Sequence, residues 1–334
     1  MTPSPAPDLL VVGAGTMGAW TAWHARRAGL RVRLVDAFGA GHPRATSGDE
    51  SRVIRSAHGA DRLYPVWARR SREQWQELGS AVGEPLFVEA GVLWFGRRPD
   101  GFEAASLRTL GELGIPAERL TAAEVRARWP TIAIGDDEFA VFEPEAGLLL
   151  ARRSIRRLVE RFVAAGGEFE IAAVRPPEPT GSSGSSDRLN AIETADGRTI
   201  ATGAVVFAAG PWLPGLFPAL CGHLIRITKQ DVLYLGPPAG DGAWEAGHFP
   251  CWVDYDAAIY GIPAVAGRGF KVAPDELGRP FDPTEGERLV DPETVRVGRR
   301  YVRRRFPALA EAPIVETRVC QYESTPDTHF VIDR

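Results

Sequence analysis

Residues Asp8 to Phe38, DLLVVGAGTMGAWTAWHARRAGLRVRLVDAF, decide the architecture. Leu9 to Val12 are four consecutive apolar residues ending at Gly13, the pattern of a strand buried on both faces. Gly13, Gly15 and Gly18 then form GxGxxG, and a helical run from Met17 to Ala28 follows until Gly29 stops it. RVRLVD is a second strand, ending at Asp36. The first glycine permits a tight turn, the second lets backbone approach a pyrophosphate, and the third lets helix and strand pack closely. The helix N-terminus attracts phosphate charge, and Asp36 stands where a carboxylate accepts ribose hydroxyls. Strand, glycines, helix, strand and acid in register predict an adenine-dinucleotide site. The acid disfavours a 2′-phosphate, so NAD or FAD is expected rather than NADP.

The 334 residues suffice for about two domains. A charged fraction of 25 % beside 44 % hydrophobic residues is ordinary globular composition and excludes a disordered chain. The net charge of −4 supplies no basic field for nucleic acid or anionic lipid. Arg299–Pro307, RRYVRRRFP, is a local basic run that reads as a solvated helix face. The start, MTPSPAPDLLVVGAG, lacks the basic flank of a signal peptide, and no apolar run is long enough to span a bilayer. Cys221, Cys251 and Cys320 are odd in number, far apart and without a CxxC pair. No metal site or disulfide framework is expected, and a reducing cytoplasm suits them.

Asp61 to Gly79 is amphipathic at helical spacing, and Phe102 to Arg128 holds further helical segments. GVLWFG (Gly91–Gly96) and FAVFEP (Phe139–Pro144) read as strands, and Ser154 to Ala165 as a helix closed by Gly166 and Gly167. Arg175 to Asn190 reads as a flexible surface loop, and Asp196–Gly197 as a hairpin turn. The strand after the hairpin runs into Ala208, Ala209 and Gly210, bringing backbone close to a cofactor at the carboxyl end of a parallel sheet. From Leu224 to Val272 aromatic and β-branched segments alternate with Gly/Pro turns, which predicts an antiparallel sheet forming a second layer. The fold class is therefore α/β: a Rossmann-like FAD-binding parallel sheet with an α+β substrate domain. The flavin domain is expected at 1–86, 146–225 and 312–334, and the substrate domain at 87–145 and 226–311.

From the residues alone, Cys320 is either a buried inert thiol or an attachment point. Over nearly its whole length, however, the chain resembles the monomeric sarcosine oxidase and N-methyltryptophan oxidase family, within the D-amino-acid-oxidase-like flavoproteins. The resemblance rests on VVGAGTMG, LVDAF, SRVIR, GVLWFG, FEPEAG, AAGPW, YGIP, GFK and CQYESTPDTHFVID in order. It implies FAD bound covalently through the sulfur of Cys320. It also implies Arg52 near the flavin ring, Arg55 on the substrate carboxylate, Lys271 activating oxygen, and Tyr260 and Tyr322 lining the pocket. The implied reaction oxidises a secondary amino acid such as sarcosine to an imine, then aldehyde and amine, with hydrogen peroxide formed from oxygen. The implied protein is a monomer; the alternative is a glycine- or D-amino-acid-oxidase-type enzyme.

The chain also departs from the pattern. Gly48 and Asp49 stand where the family usually has a histidine before the arginine pair, and Asp275 lies near a second missing histidine. Members of the family continue past FVID into a glycine-rich flavin-contacting segment and a helix. Set against them, the present chain is expected to be weakly flavinylated and weakly active, or an inactive FAD-binding remnant.

Overall fold

The computed structural model describes residues 6–177 and 189–334. The first five residues and most of the surface loop expected at 175–190 lie outside them. Four parallel strands form one sheet in the order Val205–Phe207, Leu9–Val12, Val32–Asp36, Glu168–Ile171. Helices Thr16–Arg27 and Ala151–Ala164 pack together against it. Ala19 and Ala22, three apart, let the first helix lie close. Ile155, Leu158, Val159 and Phe162 recur at i, i+3, i+4 and i+7, so one stripe of the second helix is buried with Val11 and Leu34. Truncating fully buried Phe162 to alanine would cost ~3–5 kcal/mol. A second core joins Leu10, Val12 and Val35 to Ile192 and Ile200 of the hairpin Ala191–Glu193/Thr199–Ala201.

The larger sheet has eight strands in the order Ile314–Ser324, Arg226–Leu235, Phe270–Pro274, Ile259–Ile262, Cys251–Asp254, Val92–Gly96, Phe139–Glu143, Glu118–Thr121. Neighbours run antiparallel, except that Cys251–Asp254 lies parallel to Val92–Gly96. The strands between Leu224 and Val272 pair antiparallel as expected. The sheet as a whole is mixed because the join to Val92–Gly96 links segments far apart in sequence, which no hairpin connects. Ile314–Ser324, grouped in the sequence with the nucleotide-binding segments, pairs along its length with Arg226–Leu235.

One face of this sheet packs Trp252, Phe270 and Val272 against Tyr301, Val302 and Phe306 from the end of the chain's last helix, Pro292–Arg305, and just beyond it. Alternation sends Lys271, Ala273 and Asp275 to the opposite face. The run Arg299–Pro307 is not wholly solvated. Arg305 is 1 % exposed, pairs with Glu138 at 2.8 Å and Asp254 at 3.4 Å, and lies 4.0 Å over the Phe95 ring. It shares the inward stripe with Tyr301, four residues earlier, and this decides its side. No helix among the described residues is long and apolar enough to cross a membrane.

Candidate active site

Gly13 turns the chain at φ +106°, and a Cβ there would come within 2.4 Å of the Ala208 carbonyl oxygen. A Cβ on Gly18 would lie 1.8 Å from the Gly13 carbonyl oxygen. The turn therefore closes only around glycines, and it brings Ala208 and Ala209 against the first strand's end, while Gly210 faces Glu323. Helix Thr16–Arg27 begins at Gly15 with no side-chain cap and no acid in its first turn, so its amides and positive dipole end suit an anion. Asp36 accepts the Ala14 amide at 2.7 Å and those of Phe38 and Gly39 at 2.8 Å. With about four acceptor positions, a carboxylate so placed retains capacity for a ribose hydroxyl. This glycine cradle fits the pyrophosphate and ribose of an adenine dinucleotide.

The segment from Thr46 to Arg52 crosses from that cradle to the large sheet. Ser47 lies beside Gly15, where a Cβ would meet its hydroxyl at 3.3 Å. Arg52 donates to Cys320 Sγ at 2.9 Å, to Asp49 at 2.6 Å and to the Thr46 carbonyl at 2.7 Å. Burial works against the Arg52 cation, but Cys320 and Asp49 outweigh it and hold the group well above its ordinary value. Lys271 Nζ lies 2.6 Å from Asp49 and 5.9 Å from the ring centres of Tyr234 and Tyr260. Burial pushes the Lys271 ammonium down, Asp49 counters, and Arg52 adds to the lowering.

Arg55 lies over the Trp94 ring at 5.0 Å and donates to the Ala57 carbonyl. Burial lowers its pKa, opposed by Glu143 and Asp275. Among the described residues no carboxylate comes within ion-pair distance of it. Glu143 is already engaged by the amides of Ser56 and Ala57 and by Trp94 Nε1. Tyr322 donates to Asp275 at 2.7 Å, and both feel the Arg55 charge. Burial raises the Asp275 carboxyl, opposed by Tyr322 and Arg55. Tyr260 is likewise pushed up by burial, with Arg52 opposing.

The structure thus gathers Arg52, Lys271, Tyr260 and Cys320 into one cluster, with Arg55 and Tyr322 beside it. Gly13, Gly15, Gly18, Asp36 and Ala209 form the neighbouring cradle, and Gly210 follows it in the chain, facing Glu323. In the sequence Asp49 is marked only by standing where the family usually has a histidine; nothing there signals its pairing with Tyr234 and Arg318. His58, beside Arg55, escapes notice for the same reason; burial first and the Arg55 charge second push it down to about 4.

A parallel sheet carrying a dinucleotide cradle, faced by a second sheet bearing cations and tyrosines, defines a flavoprotein oxidoreductase. Residues 8–334 match the family described as DAO, FAD dependent oxidoreductase, and the chain belongs to it. It is 31 % identical to the monomeric sarcosine oxidase of Streptomyces avermitilis, over 99 % of this chain and 85 % of that one. Against N-methyl-L-tryptophan oxidase of Yersinia pestis the figure is 26 %, over 98 % and 85 %. Among solved structures it is similar to L-proline dehydrogenase from P. horikoshii, with TM-score 0.84 and 19 % identity over 98 % of this chain and 84 % of that one. It is also similar to the open form of NikD, an amino acid oxidase, with TM-score 0.79 and 20 % identity over 97 % and 84 %. The protein is an FAD-dependent amine oxidoreductase of the sarcosine and N-methyl amino acid oxidase type.

Proposed function

We propose that the protein oxidises an N-methylated amino acid such as sarcosine, with FAD joined to Cys320 and oxygen as acceptor. The observation that carries this is Arg55, a half-buried guanidinium to which no described carboxylate is paired, beside a cluster of cations and tyrosines. A planar, permanently charged fork held in a low-dielectric wall suits a substrate carboxylate. Asp275, held by Tyr322, offers an acceptor on the amine side of the same space. Bound FAD would supply the two-electron oxidation of the C–N bond and the return of those electrons to oxygen, giving hydrogen peroxide. The substrate leaves as an imine, which water hydrolyses to aldehyde and amine. Lys271 and Arg52 stabilise negative charge developing next to them, and Arg52 donates a hydrogen bond to the Cys320 sulfur.

Chance dispersal of three cysteines fits a reducing cytoplasm, and similarity to an oxidase named as monomeric supports a monomer. Arg55→Gln tests the substrate assignment. Loss of one charge-assisted hydrogen-bonding group, about 1.5–3 kcal/mol, should weaken binding of sarcosine roughly ten- to a hundredfold while the bound flavin remains. Unchanged sarcosine affinity in that variant would assign the carboxylate to another group.

A further inference from the structure

Asp49 joins elements that lie far apart in the chain, and it is 6 % exposed. Its Oδ2 meets both Lys271 Nζ and Arg52 at 2.6 Å; its Oδ1 accepts from Tyr234 at 2.9 Å and Arg318 at 3.3 Å. Lys271 is 1 % exposed, and besides Asp49 it reaches the Ser51 carbonyl at 3.2 Å. The groups facing Lys271 come from every packed element: Asp49 and Arg52 from the crossing segment, Cys320 from Ile314–Ser324, Tyr234 from Arg226–Leu235, Tyr260 from Ile259–Ile262, and Cys251 from the strand beyond. Among the described residues Asp49 is the one acid at ion-pair distance from it. We propose that Asp49 is a positioning residue that holds Lys271 as a fixed ammonium inside the site, sharing one carboxylate oxygen between that ammonium and the guanidinium that meets Cys320.

A buried lysine without a counter-charge sheds its proton, and the neighbouring Arg52 charge drives it the same way. The two tyrosine faces at 5.9 Å supply too weak an attraction to reverse that. Burial opposes the Asp49 carboxylate too, but Lys271 and Arg52 outweigh it and keep it well below the ordinary range. Asp49 therefore stays ionised across neutral pH, and Lys271 keeps its proton and its direction. The catalytic consequence rests on the function proposed above: a lysine serving oxygen would do so over a broad pH range only while Asp49 is present.

Thermal unfolding of the purified flavoprotein against pH tests the pairing without reference to turnover. In Asp49→Asn the lysine is stranded, so its folded pKa drops further below the unfolded ~10.4. In that window the unfolded chain binds more protons, so stability rises with pH. The variant should melt roughly 5–10 °C below the parent near pH 7 and close part of the gap towards pH ~10. Adding Lys271→Met should remove the upward slope and recover part of the loss, because the stranded charge is gone. A gap that is the same at every pH, or a double variant no better than Asp49→Asn, overturns the proposal. Should Asp49→Asn fail to fold, Lys271→Met alone answers the same question. There Asp49 loses one of its cations but keeps Arg52 and Arg318, so its carboxyl protonates at a higher pH than in the parent and acid unfolding should move to higher pH; an unmoved acid limb overturns the pairing.

The half-reactions carry the functional side. In Asp49→Asn, reoxidation by oxygen should fall with rising pH while anaerobic reduction holds; in Lys271→Met reoxidation should fall about a hundredfold at every pH. Lys271→Met reoxidising at the parent rate would refute the oxygen role of the lysine, while the melting curves still decide Asp49.

Discussion

Arg52 forks between an acid and a sulfur: one nitrogen meets Asp49 at 2.6 Å, the other Cys320 at 2.9 Å. Such a fork does two things a lysine cannot do at once, since its donors are held in one plane. If Cys320 is the attachment point, Cys320→Ser should give a protein whose intact mass shows no added FAD, while serine at Cys221 or Cys251 leaves the adduct in place. An adduct surviving Cys320→Ser would remove the anchor from this residue. His58 gives a second expectation. Its folded pKa is about 4, so between pH ~6.5 and ~4 the unfolded chain binds the extra proton. Stability linked to His58 is present above pH ~6.5 and is lost as pH falls towards 4. His58→Gln should therefore flatten the decline of Tm across that interval by a few degrees; an unchanged slope would place the acid sensitivity elsewhere.

At the scale of elements, the glycine turn was legible because each glycine has a steric reason. The strand Leu9–Val12 and the end of the second strand at Asp36 fall where the apolar pattern puts them. Gly18→Ala puts a methyl 1.8 Å from the Gly13 carbonyl oxygen and must lift the helix from the strand. A cost of about 1–3 kcal/mol follows from such overpacking. Urea unfolding should show a lower midpoint, and the purified variant should carry less flavin; parent-like values of both would mean that the turn adapts. Pairing between distant segments was not legible. Nothing in GVLWFG or FPCWVDYD says that these strands run parallel, and nothing in RRYVRRRFP says that Arg305 turns inward to Glu138 and Asp254. Both depend on contacts made only after the chain has folded. The same holds within the site. The arginine pair and Lys271 were reached through family motifs, whereas Asp49 is an acid in a polar run whose burial is decided by Lys271, 222 residues away.

For the whole molecule, two sheets meet across the segment Thr46–Arg52, with the dinucleotide cradle on one side and the polar face of the large sheet on the other. In the proposed function the cradle holds the cofactor, Arg55 takes the substrate carboxylate, and the Lys271–Asp49–Arg52 array supplies fixed charge between them. The chemistry proposed for this arrangement is oxidation of an N-methylated amino acid, and anaerobic titration measures that most directly. The flavin-loaded protein is mixed with sarcosine, N-methyl-L-tryptophan, proline or glycine without oxygen, and the visible flavin absorption is followed. Complete bleaching by an N-methylated amino acid is expected, faster than by glycine, with colour returning when air is admitted. Flavin that stays oxidised with every N-methylated amino acid, in protein carrying one flavin per chain, would contradict it.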